Sequence, residues 1–304
     1  MPSLRARLLN RYLRLVMKPK RLHEIDPPLL RAWVEKRALA FYPKNVSRES
    51  VDAPAPGEWH RPVKISSSAT ILYLHGGGYV FGSVKLYRPL TMALAAKAGC
   101  EVFSAEYRLA PEHRCPAAIE DAIAAYDWLV GSGRDPKSIV LAGDSAGGGL
   151  CLTTMMALRD RGALMPAGAV LYSPWTDLAT TGASIDANAE SDAMFQRDSI
   201  VNGPGHYVGG LDAKDPRVSP LYGDLKGLPP LLVFASEAEM LFDDSTRLVE
   251  KAVRAGVGVR FEPRAGLAHA WPIFHPVLPE AKEAVAITAD FVRERAGGGK
   301  RGAQ

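Results

Sequence analysis

Residues 143–147 read Gly-Asp-Ser-Ala-Gly, at the end of the apolar run SIVLAGD. A serine flanked by glycines, on a sharp turn from a strand into a helix, is an arrangement that exposes a hydroxyl as a nucleophile. The small neighbours let the chain fold back, and the start of the helix offers free N–H groups and partial positive charge to a developing alkoxide. Ser145 is therefore the candidate nucleophile. A second glycine run, HGGG at 75–78, follows the apolar ILYL. Neither run carries the lysine of a phosphate-binding loop, and GGGYVFG does not fit the G-x-G-x-x-G spacing. The reading that remains is an oxyanion hole, with backbone N–H groups from Gly77, Gly78 and Ala146, the residue after the nucleophile.

Such groups need a rigid platform. From residue 70 onward, strand-length runs (TILYLHG, EVFSAEY, SIVLAGD, AGAVLYS, PLLVFAS, VGVRFEP) alternate with helical stretches at 86–98, 116–130, 146–160, 244–255 and 280–295. The runs are rich in Val, Ile, Leu and Phe and mostly do not alternate with polar residues, as expected of strands buried on both faces. This order predicts an α/β fold, a parallel sheet with helices on both faces. Residues 46–66 predict a short antiparallel entry strand. Two regions break the alternation. Residues 180–215 are too long for a simple connection and are expected to form a lid or binding loop. In residues 1–40, Leu4, Leu8, Leu9, Tyr12, Leu13, Leu15 and Val16 are read as one helical side with arginines opposite. The tail GGGKRGAQ is expected to fray.

The chain has 304 residues, 47% hydrophobic and 23% charged, which suits an ordinary globular protein. Its formal charge of +4 divides into +7 over residues 1–37 and −3 over the rest. The main body carries no basic stripe, so nothing points to nucleic acid. The three cysteines, Cys100, Cys115 and Cys151, have no metal-site or CxxC spacing. No metal and no organic cofactor is expected. With no secretory pattern at the start, the expected location is cytoplasmic.

HGGGYVFGS, YRLAPEHRCPAAIED (107–121), GDSAGG (143–148) and SPWTDL (173–178) together resemble the hormone-sensitive-lipase-like carboxylesterases of the α/β-hydrolase fold. The resemblance covers roughly residues 70–275. It implies an eight-stranded, mostly parallel sheet and a helical cap built from N-terminal helices and an insertion after the sixth strand. On this reading residues 1–45 supply the first part of the cap. Residues 46–304 form the catalytic domain, with 180–215 inserted as the second part. Most bacterial members of that family act on short-chain esters.

The nucleophile requires a base and an orienting acid, which in this fold follow it in the order Ser, Asp/Glu, His. Of seven histidines, His269 in AGLAHAW follows the last predicted strand, at the sheet edge suited to chemistry. The segment also resembles the family's G-M-x-H loop, with Leu267 in place of Met. His75 is read as holding the HGGG turn. The acid lies among Glu237, Glu239, Asp243 and Asp244. The family places Asp where Glu239 stands here, followed by x-Leu-x-Asp, so the resemblance favours Glu239. Asp243 is the alternative, though its position suits the start of a helix. Glu106, Arg108, Glu112 and Asp121 look like one polar network beside the oxyanion turn.

The expected function is serine carboxylesterase acting on short- to medium-chain acyl esters through an acyl-enzyme. Lipase or amidase activity on the same triad, and a ligand-binding protein without catalysis, are the alternatives. Tyr79, Phe81, Phe195, Tyr207 and Met240 are candidates for lining the substrate pocket. Residues 1–20 have two readings. As a cap, their apolar side covers the pocket. As a surface element, Arg5, Arg7, Arg11 and Arg14 meet anionic lipid. An exposed edge strand near the C-terminus offers a surface for homodimer formation.

Overall fold

The computed structural model describes residues 1–38 and 41–296, so the tail GGGKRGAQ lies outside the described residues. One sheet organises them. Its strands are β1 (Val46–Val51), β2 (Gly57–Pro62), β3 (Thr70–Leu74), β4 (Glu101–Ala105), β5 (Ile139–Asp144), β6 (Gly168–Tyr172), β7 (Leu231–Ser236) and β8 (Val259–Arg264). The spatial order is β1-β2-β4-β3-β5-β6-β7-β8. β1 and β2 pair antiparallel, as do β2 and β4, and all other neighbours are parallel. The entry segment is thus a hairpin of two strands rather than one strand, because residues 52–56 turn the chain back between them.

The helices are α1 (Leu4–Val16), α2 (Pro27–Glu35), α3 (Val84–Ala98), α4 (Ala117–Gly131), α5 (Ala146–Asp160), α6 (Ser184–Ala187), α7 (Arg197–Asn202), α8 (Gly205–Val208), α9 (Phe242–Arg254) and α10 (Pro279–Ala296). Successive strand residues point to opposite faces, and two separate cores result. Leu72, Leu74, Phe103, Leu141, Leu171 and Val233 pack with residues of α4, α5 and α9. Ile71, Tyr73, Val102, Val140, Val170 and Phe234 pack with residues of α3 and α10. Both faces are covered, which is why β3, β5, β6 and β7 are buried throughout and read as continuous apolar runs.

The N-terminal segment departs from expectation. Ala6 and Leu13 are the buried positions of α1, while Leu4, Leu8, Tyr12 and Leu15 are exposed. The leucines spread over two sides of the helix, so only one stripe can dock. Polar bonds hold it there. Ser3 donates through its N–H and its hydroxyl to Glu280 on α10, at 2.7 and 3.0 Å. Asn10 donates to the carbonyl of Gly266 at 2.9 Å. Lys18 donates to the carbonyls of Ala189 and Asp192, both at 2.7 Å, and to that of Glu190 at 3.1 Å.

Candidate active site

Ser145 joins β5 to α5 with φ 51° and ψ −122°, a strained region for a residue with a side chain. The surroundings hold it there. Its N–H donates to Tyr172 at 2.9 Å, and its carbonyl accepts from Trp175 and Gly149 at 2.9 and 3.1 Å. A Cβ on Gly147 would stand 2.0 Å from the carbonyl oxygen of Leu74, so only glycine lets α5 approach β3 this closely. The backbone is pinned on both sides, and the hydroxyl is carried on the tip of the turn.

The HGGG loop leaves β3 and arrives beside this tip. Gly77 has φ 117°, and a Cβ there would meet the Phe81 carbonyl at 2.0 Å. The Gly77 carbonyl accepts from Val80 and Phe81, both at 3.0 Å, which closes the turn. Among the described residues, the N–H groups of Gly77, Gly78 and Ala146 donate to no other protein group. Asp144 ties the loop to the elbow. Its carboxylate accepts from the Gly76 N–H at 2.9 Å, the Tyr73 hydroxyl at 2.8 Å and the Tyr87 hydroxyl at 2.9 Å. Burial pushes this carboxyl above its ordinary pKa, against the pull of the two tyrosine bonds. His75 braces the same loop from below. Its Nδ1 bonds the Gly76 carbonyl at 2.8 Å, and its ring stacks on Tyr107, whose hydroxyl donates to the His75 carbonyl at 2.7 Å.

Glu239 follows β7 and His269 follows β8, so both stand at the carboxyl edge of the sheet. The Nδ1 of His269 donates to Glu239 at 2.6 Å. The other Glu239 oxygen accepts from the Ser236 N–H at 2.9 Å, which fixes the carboxylate plane. Burial alone would depress the imidazole pKa. The charge and hydrogen bond of Glu239, with Asp192 and Asp144 behind it, outweigh burial and raise it above the ordinary value. The Nε2 of His269 is buried and has no protein partner. Asp243 does not reach His269. It sits on the first turn of α9, where it accepts from the Ser184 N–H at 3.0 Å.

A cavity of about 230 Å³ opens over these groups, walled by Ser145, Gly77, Gly78 and His269. Leu13, Met17 and Leu30 reach it from the N-terminal segment, and Met194, Phe195 and Ile200 from the insertion. The edge of the Phe195 ring faces the His269 imidazole, with centroids 5.2 Å apart. Phe81 also lies on the wall. Tyr79, Tyr207 and Met240 do not. Tyr79 and Tyr207 stack on each other with centroids 3.7 Å apart and are spent joining the HGGG loop to the insertion. Met240 is fully buried, and its neighbour Leu241 faces the cavity instead.

Trp175, His23 and His206 also line the cavity, and nothing local in the sequence marks them for it. Arg31 is a further residue that sequence reasoning misses. From α2 it donates to the Val80 carbonyl at 2.8 Å and the Ala110 carbonyl at 2.8 Å, and it pairs with Glu112 at 2.7 Å. It thereby pins the N-terminal segment onto the loop that follows HGGG. The expected single polar network is in fact split. Glu112 belongs to Arg31, Glu106 accepts from the Val84 N–H at the start of α3, and Arg108 pairs with Asp121 and Glu120. Among the described residues no group of His, Cys, Asp and Glu has the geometry of a metal site, and no helix is long and apolar enough to cross a membrane.

The family described as alpha/beta hydrolase fold matches residues 71–273. An acetyl-hydrolase of Streptomyces hygroscopicus is 43% identical over 242 residues, covering 80% of this chain and 81% of that protein. An esterase of Acinetobacter venetianus is 36% identical over 279 residues, 91% of each. Among solved structures, EstE5 soaked with p-nitrophenyl butyrate superposes with a TM-score of 0.92 at 38% identity, covering 97% of this chain and all (100%) of that one. An esterase from the bacterial hormone-sensitive lipase family gives 0.92 at 36% identity, covering 98% and 100%. The chain belongs to the hormone-sensitive-lipase-like family of carboxylic ester hydrolases with the α/β-hydrolase fold.

Proposed function

We propose that the protein is a serine carboxylesterase that hydrolyses short- to medium-chain acyl esters through a covalent acyl-enzyme. One observation carries this reading: Glu239 holds His269 through Nδ1 and leaves the buried Nε2 without a partner on a cavity that Ser145 shares. His269 takes the Ser145 proton through Nε2 as the hydroxyl oxygen attacks the ester carbonyl. The oxyanion is held by the N–H groups of Gly77, Gly78 and Ala146, each such donor contributing about 3–4 kcal/mol to the transition state. The imidazolium then gives its proton to the departing alkoxide as the ester C–O bond breaks. Water enters, loses a proton to His269 and attacks the acyl carbon, and Ser145 leaves with that proton restored. Glu239 keeps the imidazole in the right tautomer and offsets its positive charge.

Residues 1–45 and 180–215 act as a two-part cap over a catalytic unit that begins at residue 46, with Leu13, Met17, Met194 and Phe195 facing the acyl chain. The cavity, about 230 Å³, lies below the range of roughly 300–1,000 Å³ typical of sites for drug-sized ligands. That size supports an acyl group of modest length. The EstE5 structure soaked with a butyrate ester supports this choice.

Initial rates on p-nitrophenyl esters of increasing acyl length, with Ser145→Ala alongside, test the proposal. The expected result is fast turnover of short chains that the substitution abolishes. A peak at long chains would make the protein a lipase. A folded protein without turnover of any ester would overturn the esterase reading, and parallel amide substrates would then separate amidase from ligand binding.

A further inference from the structure

The outward face of α1 has no partner among the described residues, and its chemistry is specific. Leu4, Leu8 and Leu15 are 64%, 59% and 70% exposed. At 3.6 residues per turn they fall within about 40° of one another around the helix axis. Tyr12, also exposed, extends the stripe on one flank. Arg7 and Arg11 border the other flank, and neither has an ion-pair partner among the described residues. The 13 residues of the helix include four arginines and no acid. Residues 1–37 carry +7 while the rest of the chain carries −3, so the segment that contains this helix is the basic part of the chain.

We propose that this face docks on an anionic lipid surface. Exposed leucines beside unpaired arginines are the combination that enters the interfacial region of a bilayer, the leucines toward the acyl boundary and the guanidiniums at the head groups. Charge decides the occupant. A second copy of the chain would present its own Arg7 and Arg11 and repel, whereas an anionic surface attracts both, while Arg5 and Arg14 are bonded to the carbonyls of Val277 and Ser191. The opposite side of α1 supplies Leu13 to the cavity wall, and Met17 lies one residue beyond the helix. A helix is about 10–12 Å across. Docking therefore holds the cavity roughly one helix diameter from the lipid surface. This inference does not depend on the esterase chemistry.

The full-length protein should cosediment with vesicles of mixed phosphatidylcholine and phosphatidylglycerol and not with phosphatidylcholine alone. Salt at about 1 M, where screening acts within about 3 Å, should release it. Two double variants, L8S/L15S and R7E/R11E, should each weaken vesicle binding at least about tenfold. Neither pair belongs to the cavity, so both variants should keep the wild-type circular dichroism spectrum and melting transition, which reports that they fold. Absence of binding, equal binding to both vesicle types, or unweakened binding by the variants would overturn the proposal. So would a wild-type dimer in light scattering that L8S/L15S converts to monomer, since the face would then be a contact between copies.

Discussion

The Lys18 ammonium donates to the main-chain carbonyl of Asp192 at 2.7 Å, and the Asp192 carboxylate accepts from the N–H of Met240, next to Glu239, at 3.0 Å. The same carboxylate accepts from Met194 and Phe195 at 2.7 and 3.0 Å. One buried aspartate therefore joins the N-terminal segment, the insertion and the loop that carries Glu239. Phe195 in turn rests on His269.

Lys18→Met keeps the aliphatic stem and removes three bonds to carbonyls. Hydrogen bonds to a charged group contribute about 1.5–3 kcal/mol. The expected outcome is a lower Tm and a KM raised several-fold, with kcat little changed, because the cavity wall loosens while the bond between Glu239 and His269 stays. Steady-state kinetics and calorimetry check this. An unchanged KM with an unchanged Tm would mean that the latch carries no load.

Glu239→Gln should lower kcat by about 10⁴-fold, the scale of the corresponding loss where the third member of a triad is neutralised. Asp243→Asn should leave kcat within about threefold and cost about 1 kcal/mol of stability through its bond to Ser184. The reverse ranking would assign the acid to Asp243.

The proposed mechanism requires His269 to be neutral when it accepts the serine proton. Its pKa is raised above 6.5, since Glu239 outweighs burial. The sign follows: kcat/KM increases with pH, and the midpoint of its acid limb lies above 6.5. In Glu239→Gln the leading raising contribution is gone, and the midpoint of the residual activity moves down from its wild-type position. A wild-type limb below 6.5, or one that the substitution leaves in place, would contradict the assignment.

The strain at Ser145 gives a stability test independent of activity. Ala at this position keeps the Cβ and the strain. Gly relieves about 1–3 kcal/mol of it and gives back about 0.5–1 kcal/mol in backbone entropy. Ser145→Gly should therefore be inactive yet melt a few degrees above Ser145→Ala. Equal melting temperatures would show that the elbow is unstrained.

The central strands β3, β5, β6 and β7 are legible because burial on both faces makes them nearly continuous apolar runs. The elbow and the HGGG turn are legible because close backbone approach admits only glycine at positions such as 77 and 147. Glu239 can be preferred to Asp243 only through the spacing of the family, since four carboxylates crowd residues 237–244 and local pattern does not rank them. The orientation of α1 is not legible at all. Leucines at 4, 8 and 15 form as good a stripe as those at 9 and 13, and the choice between them is made by Ser3, Asn10 and Lys18 finding partners far along the chain. The cavity wall shares this origin. Tyr79 and Tyr207 look like wall residues by type, but they pair with each other, and residues of the N-terminal segment take their place.

The anchors of α1 also set an order of assembly. Ser3 waits for Glu280, 277 positions later, Asn10 for Gly266, 256 later, and Lys18 for Ala189, 171 later. Synthesis runs from the N-terminus and domains consolidate as they emerge. α1 is thus translated long before anything it docks on exists, and these long-range closures are the slow ones. A nascent chain halted before α10 already contains the elbow, the HGGG turn and all eight strands. It lacks the last support for the roof of the cavity. The docking of α1 over the cavity is the part of the molecule completed last.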